Sequence, residues 1–194
     1  MRIFLAVDLS PSAVNTIESL QHEVFAAADW NQRDVKAVEK QNFHFTLLFL
    51  GEKSDSEVEI VKAKISDLKF ESFTIRLTGL GAFPKPNYAR VAWVGTDVAG
   101  GQTMRQLAAD IVSRVSSIGP GFQQDKPFSP HLTIFRARAG GHFRLDNEII
   151  AGYSGKEFCT DIIDKLHIKQ SDLTPSGPIY SNIYTVAATT VGGR

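Results

Sequence analysis

The chain has 194 residues, 43% of them hydrophobic, which is enough for one large domain or two small lobes around a buried core. Lys plus Arg and Asp plus Glu each total 21, so the formal charge is zero, no global field draws in polyanions, and any contact with nucleic acid must be local. A single cysteine, Cys159, excludes an intrachain disulfide framework and fits a reducing, cytoplasmic setting; no run approaches a membrane span, and Asp8 interrupts the first apolar stretch too early for a secretory leader.

Residues 2–9 read as a first strand. Ser10 then supplies an N-cap and Pro11 the first helical position, with Val14, Ile17, Leu20 and Val24 following at helical spacing. A strand begins at His44 and is broken by Gly51, after which Ser54 and Glu57 make the capping-box pattern of a helix carrying Val58, Val61, Ile65 and Leu68 on one face. Strands are predicted at residues 73–80 and 89–95. A third helix carries Met104, Leu107, Ala108, Ile111, Val112 and Val115 and stops before Gly119. Residues 128–137, 162–170 and 179–189 complete the strands. The segment Gly152-Tyr153-Ser154-Gly155-Lys156 lacks both the serine-elbow and the full Walker spacing and reads as a turn.

Strand, helix and a second strand bearing His-x-Thr occur twice in this order. Ile3 corresponds to Val91 and His44 to His131, with a nearly constant offset, as in a duplicated unit. The expected fold class is α+β: two pseudo-symmetric lobes, each a mostly antiparallel sheet with outer helices, enclosing a central cleft, with residues 1–194 forming one bilobal unit.

The repeated motif is His44-Phe45-Thr46-Leu47 and His131-Leu132-Thr133-Ile134. On a strand, positions i and i+2 share a face, so His44 pairs with Thr46 and His131 with Thr133, while Phe45, Leu47, Leu132 and Ile134 turn to the core. Each strand thus offers one ionisable nitrogen and one hydroxyl to the same ligand. In an in-line displacement at phosphorus the attacking and leaving oxygens lie on opposite sides, so a base on one side and an acid on the other serve both proton transfers. Imidazole suits both roles near neutral pH, and two threonine hydroxyls can hold the non-bridging oxygens where charge builds up. The chain carries no convincing metal-ligand motif, and neither metal nor other cofactor is expected.

With these motifs the chain resembles the two-histidine phosphoesterase superfamily and, within it, the 2′-5′ RNA ligase family of LigT-like RNA 2′,3′-cyclic phosphodiesterases. The resemblance runs through Met1-Arg2-Ile3-Phe4-Leu5-Ala6-Val7-Asp8, the strand from Asn42 to Leu47 with Phe49-Leu50-Gly51-Glu52, and Gly79-Leu80-Gly81-Ala82-Phe83-Pro84 leading to Arg90-Val91-Ala92-Trp93. It continues in Phe128-Ser129-Pro130-His131-Leu132-Thr133 with Arg136, and in Leu173-Thr174-Pro175-Ser176-Gly177-Pro178-Ile179-Tyr180. The resemblance implies a hydrolase that opens a terminal 2′,3′-cyclic phosphate on RNA to a 2′-phosphate. It makes His44 the proton donor to the departing 3′ oxygen and His131 the proton acceptor that activates water, with Thr46 and Thr133 on the phosphate. ATP-independent 2′-5′ ligation would follow when a 5′-hydroxyl replaces water. The order of the two histidine roles comes from the family; the chemistry alone permits the swap.

Arg136 lies at an odd offset from His131 and reaches the ligand face only if a bulge or the strand end turns it; otherwise it is an ordinary surface arginine. Arg90 is a second candidate for a substrate phosphate, against the commoner reading of an exposed arginine at a strand start. Phe83, Tyr88 and Trp93 are candidates for base stacking, against the core role of most such aromatics. His22 and His142 read as solvated, His167 as part of a basic, exposed strand face between Lys165 and Lys169, with lining a cleft that holds RNA as the alternative, and Cys159 as a small buried or half-buried residue. The expected partners are RNA 3′ ends or small cyclic nucleotides, with no membrane and no obligate protein partner. A noncatalytic nucleotide or RNA-end binding module using the same cleft remains the alternative.

Overall fold

Residues 1–28, 30–124, 126–138, 140–175 and 177–189 are described by a computed structural model. In chain order the strands are β1 (Arg2–Asp8), β2 (Val35–Ala37), β3 (His44–Glu52), β4 (Phe73–Lys85), β5 (Tyr88–Thr96), β6 (Leu132–Ala137), β7 (Glu157–Ile163), β8 (Lys165–Thr174) and β9 (Gly177–Ala187). The helices are α1 (Pro11–Ala27), α2 (Asp55–Ile65), α3 (Val98–Ser116) and the short α4 (Asn147–Gly152), with a 3-10 turn at Lys40–Asn42.

Two antiparallel sheets result, one ordered β3-β1-β8-β9 and the other β2-β6-β5-β4-β7. This is the α+β arrangement of two related lobes. Ala6 faces Thr46 across β1 and β3, and Trp93 faces Thr133 across β5 and β6, so both partners in each pair are displaced by the same number of residues as the two histidines. The pairing register therefore repeats along with the motif.

The helix starts are written locally. The Ser10 side chain accepts from the Ala13 amide, with Pro11 just inside α1, and Ser54 and Glu57 complete a reciprocal capping box on α2. α3 begins at Asp97, whose carboxylate accepts from the Gly100 amide, several residues before the apolar stripe that marks it in the sequence. α1 buries Ile17, Leu20 and Val24, and it runs across the second sheet: the Ser10 amide donates to Asp161 on β7, and the Phe25 ring meets Phe135 on β6 at 6.0 Å. The core is continuous between the lobes, with Ile3, Leu5, Phe45, Leu47, Leu132, Ile134 and Phe135 fully buried.

Several strand boundaries depart from the sequence reading; β4 runs on from residue 80 to Lys85, and β9 spans Gly177–Ala187 rather than 179–189. Gly51 lies inside β3 rather than ending it: its φ of 71° lets the strand kink and continue to Glu52. The strand expected at residues 128–137 begins only at Leu132, because Pro130 has no amide to give a ladder. The strand expected at residues 162–170 is two strands in different sheets, since the chain crosses from β7, paired with β4, to β8, paired with β1. β2 and α4 carry too little periodicity to stand out in the sequence. Of the Leu173-to-Tyr180 motif, Ser176 lies outside the described residues.

Candidate active site

His44 opens β3 and His131 stands immediately before β6, and these two strands approach each other directly where the sheets meet. Both His-x-Thr sets line one pocket of about 660 Å³, including its open mouth: His44, Thr46, His131 and Thr133 converge there with Arg136.

A bulge repeated in both lobes shapes this pocket. Leu5 pairs with Leu48 but Ala6 pairs with Thr46, leaving Leu47 as the extra residue of β3; Trp93 pairs with Thr133 but Ala92 pairs with Phe135, leaving Ile134 as the extra residue of β6. The fourth residue of each motif is thus the bulged one, and its side chain is fully buried. On β6 the extra residue inverts the face of everything after it, which answers the odd offset of Arg136: that side chain lines the pocket with His131. The Ile134 carbonyl at the bulge accepts from the Val38 amide at 2.9 Å and from Gln21 Nε2 at 2.6 Å, and Gln21 also donates to Val38 O at 2.9 Å. A buried glutamine on α1 thereby clips the bulge to the segment that leads to His44.

Each imidazole sits against two aromatic rings. His44 has Phe4 at 5.0 Å and Tyr180 at 5.2 Å; His131 has Phe83 at 5.1 Å and Trp93 at 6.5 Å. Phe83 and Trp93, candidates for base stacking, are therefore engaged with His131, whereas Tyr88 stacks on His142 at 4.0 Å. His131 Nδ1 donates to the Ser129 carbonyl at 2.7 Å, and since a carbonyl only accepts, the neutral ring keeps Nε2 as its lone-pair nitrogen. His44 Nε2 lies 3.0 Å from Thr46 Oγ1, while its Nδ1 is buried, with the Asn42 backbone beside it falling short of full hydrogen-bond geometry.

Burial dominates the electrostatics of both rings. It pushes His44 down to about 4, with the Lys169 ammonium and the Arg136 guanidinium acting in the same direction and Asp8 and the Asn42 backbone opposing. Burial also lowers His131, with Arg136 adding to it and the Ser129 carbonyl opposing. A group whose pKa is lower folded than unfolded loses stability as pH falls from its unfolded value toward its folded one. Between pH 7 and pH 5, His44 alone accounts for a loss of about 2 kcal/mol. His44→Gln is expected to flatten the pH dependence of urea-unfolding free energy by about that amount; an unchanged pH dependence would contradict the burial of this ring.

His167 and Lys169 overturn the expectation of a basic, exposed strand face. Each is only 7% exposed, standing directly across from the buried Phe4 and Ala6 of β1 on the same face of the sheet. Lys169 Nζ pairs with Asp8 Oδ2 at 2.8 Å, His167 Nε2 lies 3.7 Å from the same oxygen, and His167 Nδ1 bonds with Thr185 Oγ1 at 2.9 Å. Asp8 is in turn the cross-strand partner of His44. Arg90 is exposed on β5, at a register shift opposite the Phe83–Pro84 step, and is not among the residues lining the pocket.

The far wall of the pocket comes from residues to which the sequence reading assigns no role. Lys36 and Val38 on or just after β2, Glu39, Asn42, and Pro178 and Tyr180 on β9 complete it. Asn42 Nδ2 donates to the Pro178 carbonyl at 3.2 Å, fastening the entrance of β3 to β9. Asn42 and Tyr180 lie within the motifs that carry the family resemblance, which was the available signal; Lys36 and Glu39 sit in a stretch without periodicity.

Close approach of backbone to ring explains two glycines. A Cβ at Gly81 would fall inside the Trp93 indole, and one at Gly95 would lie 3.3 Å from the same ring, so the indole lies flat on the neighbouring strands and reaches His131. Gly81→Ala is expected to displace Trp93, cost about 1–3 kcal/mol in unfolding free energy, and disturb His131; a wild-type urea midpoint would show that the indole has room to move.

The chain is similar to known proteins over nearly its whole length. The family model for LigT-like phosphoesterases matches residues 7–93. An RNA 2′,3′-cyclic phosphodiesterase from Archaeoglobus fulgidus is 35% identical over 183 residues, covering 94% of this chain and 98% of that protein. One from Aeropyrum pernix is 36% identical over 159 residues, 81% of this chain and 89% of that protein. A crystal structure of a Thermus thermophilus protein, 27% identical, superposes with a TM-score of 0.75 over 96% of this chain and 97% of that one. With the fold shared and relatives this similar over nearly the whole length, the chain belongs to the family of LigT-like phosphoesterases.

Proposed function

We propose that residues 1–194 act as one bilobal phosphoesterase that hydrolyses RNA 2′,3′-cyclic phosphate ends to 2′-phosphomonoesters by acid–base catalysis. The observation that carries this reading is the convergence of both His-x-Thr sets, from opposite sheets, on one pocket that also holds Arg136. The names of the relatives from Archaeoglobus fulgidus and Aeropyrum pernix support the same substrate class.

In this mechanism the cyclic phosphate lies between the rings, with its non-bridging oxygens on the Thr46 and Thr133 hydroxyls and the Arg136 guanidinium. His131 Nε2 removes a proton from water as its oxygen attacks phosphorus; the bond from phosphorus to the 3′ oxygen breaks, and His44 delivers a proton to that oxygen. The Ser129 contact supports the acceptor role, because it holds the proton of neutral His131 on Nδ1. A donor with a pKa of about 4 is empty in the unliganded protein at neutral pH. The phosphate anion supplies the opposite charge that raises it, so binding itself loads the acid. With a 5′-hydroxyl in place of water, the same transfers join two RNA ends by a 2′-5′ bond without ATP.

The test is hydrolysis of a 2′,3′-cyclic nucleotide in EDTA, with the phosphate position of the product read by 31P NMR. Turnover to a 2′-phosphate is expected, with a maximum in kcat/KM on the acid side of pH 6.5, since the unliganded pKa values of both histidines are lowered. Binding without turnover would leave the noncatalytic module as the correct reading.

A further inference from the structure

Beside the catalytic pocket runs a second concavity, a groove of about 880 Å³ including its open side, between α1 and the edge strand β2. The two share Lys36, Ala37 and Glu39, so they are neighbouring compartments separated by the β2 strand. The accessible apolar surface of the groove is Phe25 and Ala26, over the buried Val35 and Phe135, while His22, Gln32 and Arg138 supply polar groups around it.

β6 and its extension run along both compartments. His131, Thr133 and Arg136 line the catalytic pocket, and Arg138, two residues further, lines the groove. Alternate strand residues stand about 6.5–7 Å apart, close to the step between successive phosphates on an extended RNA strand. Lys36, the β2 partner of Arg136, sits at the junction, 3.6 Å from Glu39. Arg138 is held in place by two contacts: its amide donates to the Asp34 carbonyl at 2.9 Å and its Nε to the Gln32 carbonyl at 2.8 Å.

Charge favours this direction of exit. Arg136, Lys36 and Arg138 face Glu39 here, whereas the concavity beside Asp8 is lined by Asp8, Asp161 and Asp164 against Lys165 and His167. A phosphodiester backbone leaving the catalytic pocket meets an excess of cations on the β2 side and of carboxylates on the other.

We propose that this groove is the subsite for the nucleotide preceding the cyclic end of an RNA chain, with its base against the half-buried Phe25 and the phosphate that joins it to the terminal nucleoside on Arg138. The proposal rests on the cyclic phosphodiesterase reading above and deepens it, because it makes an oligonucleotide the preferred substrate over a cyclic mononucleotide.

The experiment compares steady-state kinetics on a 2′,3′-cyclic mononucleotide and on a short oligoribonucleotide ending in a 2′,3′-cyclic phosphate. The wild-type protein is expected to have the higher kcat/KM on the oligonucleotide. Arg138→Ala should lower that value about tenfold through KM, leave the mononucleotide unchanged, and reduce the salt slope of oligonucleotide binding by about 0.7. His22→Glu, an exposed change on the opposite wall, should produce the same selective loss by repelling the backbone. Equal effects on both substrates, or none on the oligonucleotide with either variant, overturn the subsite while leaving the phosphodiesterase reading intact. Absence of wild-type turnover on both substrates overturns the two together.

Discussion

Replacing His44 or His131 by alanine should each lower kcat on a cyclic phosphate about 10²–10⁴-fold, with product binding retained. In the proposed mechanism each ring serves one proton transfer at one apical oxygen, while the phosphate would rest on Thr46, Thr133 and Arg136, pocket residues that both substitutions leave in place. The affinity for a 2′-phosphomonoester product, measured by calorimetry, should therefore change far less than turnover. The double variant should not show the product of the two losses, because residues that act as a unit are strongly non-additive. Thr133→Ala should do the reverse and raise KM more than it lowers kcat, since its hydroxyl serves binding in both the ground state and the transition state. If His131→Ala retained turnover while losing product affinity, the imidazole would be a phosphate ligand and not the base.

The second large effect concerns stability and falls on Asp8. Asp8→Asn should destabilise the protein by about 2–3 kcal/mol, less than the full cost of orphaning a buried ion because Asp8 is itself a third exposed. The Lys169 side chain is 8% exposed and has Asp8 Oδ2 at 2.8 Å, so the substitution strands its ammonium in the interior. Lys169→Met should cost less, since the Asp8 carboxylate left behind reaches solvent and has His167 at 3.7 Å. Thermal unfolding of the two variants checks the asymmetry; equal shifts would contradict it. The pair also acts on chemistry. The charges that bear on His44 are Asp8, Lys169 and Arg136, with Asp8 raising its pKa and the two cations lowering it. Lys169→Met should move the pH profile of kcat/KM to higher pH and Asp8→Asn to lower pH. The ion pair thus bears both on stability and, after burial itself, on the proton affinity of the His44 imidazole.

Much of the site was written in consecutive residues. The alternation His-x-Thr-x places one polar face and one apolar face on a strand whatever surrounds it, and Phe45, Leu47, Leu132 and Ile134 are buried as that alternation requires. Caps are equally local, which is why Ser10, Pro11, Ser54 and Glu57 marked their helices correctly. The duplicated spacing implied two related lobes because a repeated unit repeats its pairing, and the register of Thr46 with Ala6 and of Thr133 with Trp93 follows suit.

Other features depended on partners distant in the chain. Whether Arg136 faced the pocket turned on one bulged residue, and a bulge is a property of two strands in register, stabilised here by Gln21 from a helix more than a hundred residues away. The charged positions of β8 looked solvent-facing because alternation alone cannot say whether a polar face meets water or another layer; His167 and Lys169 share the face of the buried Phe4 and Ala6 of β1 and lie beside Asp8. The split of β7 from β8 was hidden for the same reason, since the exchange of sheets is decided by β4 and β1 and not by the residues at the crossing. What the sequence determined by itself was the local chemistry: two imidazoles, two hydroxyls and the faces that carry them, because these depend on backbone geometry within a few residues. Only the tertiary structure decided that both sets share one pocket, which cations accompany them, and how strongly each ring resists its proton, because those depend on burial and on charges brought together from opposite ends of the chain.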